Sequence, residues 1–252
     1  MYQKVRQDAI LEILQRQGYA TVRQLTQELH YSTATINRDL NFLESQKLIK
    51  RSYGGAELTH SSSIPLPFRY HKMKTAKRHI GKIAASFVRD GDTIFIDGTT
   101  TTQYMAQYLA DRKELTVITN NIALVSFLSK YDISVICLGG KVVEIPHMLC
   151  GPETIENASV YHADKMFFST ASMTPDGRIG SSGLYHLLHR TMAKNSDQIF
   201  YLADHEKIGP LRSDLYLFSA DRVDYVISDH TFPQETLDRF PTTEFVSVPS
   251  EA

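Results

Sequence analysis

The spacing of apolar residues changes once along the chain. At the start, Val5, Ala9, Ile10, Ile13 and Leu14 recur every three or four positions, the stripe of an amphipathic helix that Gly18 would close. Thr21-Val22-Arg23-Gln24 has the form of a capping box, which predicts a second helix with Leu25 and Leu29 turned inward. Ser32 opens a third, with Ile36, Leu40 and Leu43 on its buried side. Residues 48–56 then read as two short extended pieces around basic residues, ending on a glycine pair as a β-wing would.

From about residue 73 the apolar residues instead form short runs bounded by turn signals, at 93–96, 115–119, 133–138, 165–170, 198–203, 223–228 and 245–248. Helical patterns at 102–110, 122–130 and 184–197 lie between several of them. Strands alternating with helices predict an α/β domain with a mainly parallel sheet. Between the two regimes, THSSSIPLP at 59–67 has the Ser and Pro content of a linker. The expected organisation is a winged helix-turn-helix domain over residues 1–57, a linker over 58–72 and an α/β domain over 73–252.

Composition narrows the class. With 42% hydrophobic and 22% charged residues, wholesale disorder and collagen-like structure are excluded. Cys137 and Cys150 are too few for a disulfide framework; Cys137 reads as a small core residue in a strand and Cys150 as a loop thiol. The first residues lack the apolar core of a signal peptide, and no run approaches the roughly 18 apolar residues of a membrane span. A cytoplasmic protein without a membrane partner is expected. The net charge of −1 conceals an asymmetry. Residues 1–82 hold 14 basic and six acidic side chains, a balance of +8; the remaining 13 basic and 22 acidic ones leave −9. A basic amino end on an acidic body suits a polyanion.

Three helices and a wing place one helix in the major groove and leave the preceding helix and the wing for phosphates. With Ile36, Leu40 and Leu43 in the core, Thr33, Thr35, Asn37, Arg38 and Asn41 remain to meet base edges and phosphates. Arg forks onto guanine and Asn onto adenine, while Lys50 and Arg51 in the wing can neutralise phosphate. The same periodicity also fits a small helical unit for protein contact, with Asn37 and Arg38 merely solvated.

In the second region, the strand at 93–96 runs into Asp97-Gly98-Thr99-Thr100-Thr101-Thr102, where hydroxyls and backbone N–H groups at a helix start can hold an anion. Thr119-Asn120-Asn121, Gly139-Gly140-Lys141 and Asp204, with Lys207 shortly after it, sit at analogous strand ends, where open α/β sheets bind ligands. Thr, Asn and Lys would donate to phosphate and Asp97 would accept from hydroxyls, a set suited to a phosphorylated sugar or polyol. The threonine run equally reads as a plain helix cap. There is no nucleoside-triphosphate loop and no dinucleotide fingerprint. His186 and His189 share a helix face without a second ligand pair, so both are expected as surface or partly buried imidazoles, and no metal or cofactor is expected.

The amino-terminal residues Arg6, Ile10 and Leu14, then Ser32-Thr33-Ala34-Thr35-Ile36-Asn37-Arg38-Asp39-Leu40 and Tyr53-Gly54-Gly55-Ala56, resemble the DeoR family of bacterial transcription regulators. Asn37 stands where that family usually carries Arg; Asp39 reads as a structural contact of the helix or wing. The later motifs resemble the same family's sensor domain, whose fold is of the ribose-5-phosphate isomerase type. Its Asp-Ser-Gly-Thr-Thr-Thr loop falls on Asp97 to Thr102, its Thr-Asn pair on Thr119-Asn120, its Gly-Gly on Gly139-Gly140 and its Asp-x-x-Lys-x-Gly on Asp204 to Gly209. Gly98 replaces the usual Ser, Thr99 the usual Gly, and Leu187 an acidic residue often found on the helix before Gln198.

The resemblance implies a DNA-binding regulator, a repressor of a carbohydrate or polyol catabolic operon that a phosphorylated effector modulates. It implies sensing rather than turnover. The alternative is an isomerase-like enzyme fused to a DNA-binding domain, with Asp97 and Asp204 as its acids and Lys207 stabilising the enediolate. Recognition of operator half-sites by a helix-turn-helix leads one to expect a symmetric homo-oligomer, dimer or tetramer.

Overall fold

Helix α1 (Tyr2–Gln17) buries Ile10, Leu11, Ile13 and Leu14, whereas Val5 is 65% exposed. At 100° per residue Val5 lies ~160° around the helix from the centre of that group, so it faces solvent and Leu11 completes the buried stripe. The computed structural model describes residues 2–17, 19–46, 48–52, 54–58, 73–144, 148–181, 183–212 and 215–248. The expectations for Gly18, Tyr53 and the linker from residue 59 onward lie outside them. The chain divides into two compact units, Met1–Lys72 and Met73–Ala252. No helix among the described residues is long and apolar enough to cross a membrane.

In the first unit β1 (Tyr19–Thr21) precedes α2 (Val22–Leu29) and α3 (Thr33–Ser45), and β2 (Ile49–Ser52) and β3 (Gly55–Leu58) form the wing. The capping box is present: Gln24 N–H donates to Thr21 Oγ1 at 3.2 Å and Thr21 N–H to Gln24 Oε1 at 2.8 Å. Ser32 caps α3. Leu25, Ile36, Leu40 and Leu43 close the core together with the α1 residues. Strand β1 was not foreseen; it pairs with β3, so the wing is the outer part of a three-stranded antiparallel sheet ordered β1-β3-β2. Asp39 is wholly buried and takes hydrogen bonds from Arg6 Nε and, at 3.1 Å, from Gln7 Nε2. It ties α3 to α1.

The second unit runs α4 (Lys74–Ser86), β4 (Thr93–Ile96), α5 (Thr100–Gln103), β5 (Thr116–Thr119), α6 (Ile122–Leu128), β6 (Ser134–Cys137), β7 (Lys141–Glu144), β8 (Met148–Cys150), α7 (Pro152–Ser159) and β9 (Ala163–Phe168). It continues with β10 (Arg178–Ser181), α8 (Gly183–Lys194), β11 (Ser196–Ala203), β12 (Leu215–Ser219), β13 (Tyr225–Ser228), α9 (Gln234–Arg239) and β14 (Glu244–Ser247). Seven strands form one sheet in the order β14-β13-β11-β9-β4-β5-β6, every neighbouring pair parallel. Its central strands are buried on both faces. Ile94 and Ile96 pack in one apolar cluster and Phe95 in the other; Phe167 and Met166 divide in the same way. This explains why the strands appear as unbroken apolar runs.

The antiparallel pairs β7–β8 and β10–β12 have no counterpart among the expected elements. Two cysteine expectations are reversed: Cys137 is exposed on the edge strand β6, and Cys150 is buried in β8. The helix expected at 102–110 is only the single turn α5 followed by a 3-10 turn at Ala106–Tyr108. After β4 the chain builds outward through β5 and β6, then returns to the other side of β4 with β9. The carboxyl ends of β4 and β9 therefore flank a topological switch point, where such sheets open a crevice for ligands.

Candidate functional site

On α3, Thr33, Arg38 and Asn41 are exposed, as is Lys50 on β2. Thr35 is engaged locally: its hydroxyl meets Ser32 Oγ at 2.9 Å. Arg51 is not a free wing cation. Its guanidinium reaches across to the helix, donating from Nη1 to Asn41 Oδ1 and from Nη2 to Asn37 Oδ1, each at 2.6 Å. The Arg51 backbone N–H donates to Glu44 Oε1 at 3.1 Å. Asn37, Asn41 and Arg51 thus form one polar surface joining helix and wing.

In the second unit Asp97, at the end of β4, is 1% exposed. Its Oδ1 accepts from Thr99 N at 3.1 Å, Thr99 Oγ1 at 2.8 Å and Thr102 Oγ1 at 2.6 Å; its Oδ2 meets Ser169 N at 3.1 Å and His189 Nε2 at 3.0 Å. Burial alone would raise its pKa, but the bonds from His189, Thr102 and the Ser169 N–H outweigh that and hold it below the usual carboxylate value. Asp97 is therefore saturated and organises the loop; it has little left to offer a sugar hydroxyl.

Thr100 and Thr101 point elsewhere. Lys77 Nζ, on α4, donates to Thr100 Oγ1 at 3.1 Å. Lys207 Nζ, beyond the end of β11, donates to Thr101 Oγ1 at 2.7 Å and to Ser169 Oγ at 2.6 Å. Two ammonium groups and three hydroxyls from α4, α5 and the ends of β9 and β11 meet at the switch point. That is anion-binding chemistry, supplied by side chains rather than by the four-residue α5. Asp204 is 3% exposed, and among the described residues no hydrogen bond reaches its carboxylate. It is the acceptor that Asp97 is not.

Thr119 and Asn120 follow β5. Thr119 Oγ1 accepts from Asn121 N at 3.1 Å, and Asn121 caps α6. Asn120 Nδ2 is spent on Leu149 O at 2.7 Å, while its buried Oδ1 has no partner among the described residues. Expected as a phosphate donor, Asn120 instead presents an acceptor. Gly98 lies beside it, and a Cβ there would come within 2.5 Å of Met148 Cγ, so a serine would require Met148 to move. Thr99 has φ −77°, which any residue adopts, so no glycine is needed there.

Gly139 and Gly140 make the β6–β7 turn at φ +69° and +107°. Thr154 Oγ1 donates to Gly139 O at 2.8 Å, and a Cβ on Gly140 would lie 2.0 Å from that oxygen. Among the described residues no hydrogen bond joins this turn or the exposed Lys141 to the Lys77–Lys207 cluster. The hairpin returns to the site through β8, whose Met148 bridges to Asn121. Sequence reasoning missed Lys77, Ser169 and His189. Lys77 was counted with the basic amino end but is 3% exposed inside the second unit. His189 is 4% exposed against Phe168, with Nδ1 unpartnered among the described residues, while Leu187 is 53% exposed and turned away. Among the described residues no three metal-ligating groups converge.

Residues 6–62 match the DeoR-like helix-turn-helix domain and residues 72–230 the DeoR C terminal sensor domain. The chain is 34% identical over 233 residues to the HTH-type transcriptional repressor GlcR of Bacillus subtilis, covering 91% of this chain and 89% of that one. It is 31% identical over 234 residues to the glycerol-3-phosphate regulon repressor of Escherichia coli, covering 91% and 92%. Among solved structures, ribose 5-phosphate isomerase A from Neisseria gonorrhoeae matches at TM-score 0.39 and 18% identity over 52% of each chain.

Proposed function

The chain belongs to the DeoR family of bacterial transcription regulators, and from that premise we propose that it represses a carbohydrate or polyol catabolic operon until a phosphorylated effector reaches its second unit. Helix α3 reads the operator through Asn37, Arg38 and Asn41, with Thr33, Thr35, Lys50 and Arg51 completing the surface. The effector lies at the switch point. Its phosphate meets Lys77, Lys207, Thr100 and Thr101, and its hydroxyls meet Asp204 and Asn120 Oδ1. Asp97, Thr99 and Thr102 hold the loop; Gly98, Thr119, Gly139, Gly140 and Lys141 shape its surroundings. A cytoplasmic symmetric oligomer, dimer or tetramer, places two α3 helices on two half-sites.

The observation that carries this reading is the convergence of Lys77 and Lys207 on Thr100 and Thr101, with the buried Asp204 carboxylate following the same β11 end. A relative named for the glycerol-3-phosphate regulon adds support, since a phosphorylated polyol has the matching groups. Sensing is favoured over catalysis because Asp97 is saturated and its pKa depressed, which makes it a poor base. For the effector to release DNA it must bind the DNA-free form more tightly.

The test is a thermal-shift screen of phosphorylated sugars and polyols, followed by the hits in a DNA-binding assay. Lys207→Ala should retain DNA binding and lose most of the response. If no phosphorylated compound shifts stability or DNA affinity, sensing fails. Sustained isomer formation from pentose or hexose phosphates, lost on Asp204→Ala, would establish the enzyme instead.

A further inference from the structure

We infer that Arg51 determines which base Asn37 and Asn41 read, and that the base is guanine. The inference rests on α3 being the DNA-reading helix and goes beyond it by fixing the donor pattern of the surface. A guanidinium carries only donors, so whichever way an amide is drawn, the atom facing Arg51 must be its oxygen. Both oxygens face it at 2.6 Å, one from each of two side chains a single helical turn apart. Each amide therefore directs its NH2 group away from the arginine.

The result is a patch whose outward groups are donors, two amide NH2 groups and the guanidinium N–H groups not used on the helix, while the second lone pair of each amide oxygen lies beside the guanidinium. In the major groove guanine offers acceptors at N7 and O6, whereas adenine pairs an N7 acceptor with an N6 donor. The usual fork of Asn on adenine needs the amide oxygen to accept from N6. Here that oxygen already bonds a cation, and an incoming amino group would be pressed against like-signed N–H groups. Guanine meets no such conflict. The adenine preference that asparagine suggests in sequence is thus reversed by a residue ten positions beyond Asn41 on the wing.

The geometry also fits the pairing of Asn37 with this wing. An arginine at position 37 would set a second guanidinium against Arg51, whereas asparagine supplies the acceptor that holds it. Asn37 and Arg51 work as a pair, and neither can be exchanged alone without changing the donor pattern.

The experiment selects binding sequences from a pool of random duplexes, using the full chain and its variants. The wild type should enrich guanine at the positions under Asn37 and Asn41. Replacing those guanines by 7-deazaguanine, which removes N7, should weaken binding about five- to tenfold at each position. Arg51→Ala should shift the preference toward adenine. Asn37→Asp keeps an acceptor for Arg51 but presents no NH2, so guanine should give way to cytosine, whose N4 donates to a carboxylate. This second variant preserves the clamp, and circular dichroism confirms that each variant is folded. Adenine at these positions in the wild type, or an unchanged guanine preference in Arg51→Ala and Asn37→Asp, overturns the inference alone. Failure of the wild type to enrich any sequence overturns the DNA reading beneath it, and the inference with it.

Discussion

Asp97 has three donors on one carboxylate oxygen and two on the other, drawn from its own loop, from the end of β9 and from α8. Asparagine would turn one of those oxygens into a donor facing donors. Asp97→Asn is therefore expected to destabilise the second unit by about 2–4 kcal/mol, two buried hydrogen bonds lost with their partners left unpaired, as read from denaturant unfolding. Because the folded pKa is held below the unfolded value, the contribution of Asp97 is complete above the unfolded pKa and disappears as pH falls through the depressed one. The wild-type advantage over the variant should accordingly shrink in acid. Ligand and scaffold carboxylates cannot be told apart in sequence: Asp97 and Asp204 each follow a strand, and only their neighbours from distant segments separate them.

Helix α1 carries a second pH-sensitive carboxylate. Asp8, half-buried with Oδ1 unpartnered among the described residues, is raised to about 6 by burial, with Lys4 opposing and Glu12 adding to the shift. A folded pKa above the unfolded one means that stability is full below the unfolded value and lost as pH rises through about 6. Asp8→Asn should slow amide exchange in α1 at pH 7.5 relative to wild type and have little effect at pH 4.5. An equal effect at both values would refute the burial argument.

At this scale the sequence was most informative where one periodicity dominates. The central strands of the sheet, buried on both faces, showed as continuous apolar runs such as Thr93–Ile96 and Thr116–Thr119. The hairpin β7–β8 was hidden because Lys141–Glu144 mixes exposed valines with charges, and β1 because three residues carry too little pattern. Lys77 and His189 were seen as residues but not as parts of a site. Their partners lie 23 and 92 positions away, a separation no local pattern encodes.

For the whole molecule the charge division needs amending. Lys74, Lys77, Arg78 and Lys82 belong to the acidic body, where Lys77 faces Thr100, so the balance of the first unit, 10 basic against six acidic side chains, is +4 rather than +8. On the proposed reading, DNA affinity draws on fewer phosphate contacts and more on the polar surface of α3 and the wing. If operator and effector bind opposing states, their coupling is reciprocal. The factor by which a saturating effector weakens operator binding should equal the factor by which saturating operator weakens effector binding. Calorimetric titrations with and without the selected duplex measure both, and unequal factors would exclude a single shared equilibrium.

The bond from Lys207 to Thr101 spans 106 positions and closes the anion-binding cluster across the central strands. As the chain leaves a ribosome, the threonine loop emerges long before the lysine that completes it. A nascent chain that has passed its DNA-reading helix and most of its sheet still lacks the cluster. On the proposed reading, the capacity to bind the effector therefore arises only once synthesis has passed residue 207, after both units have begun to form.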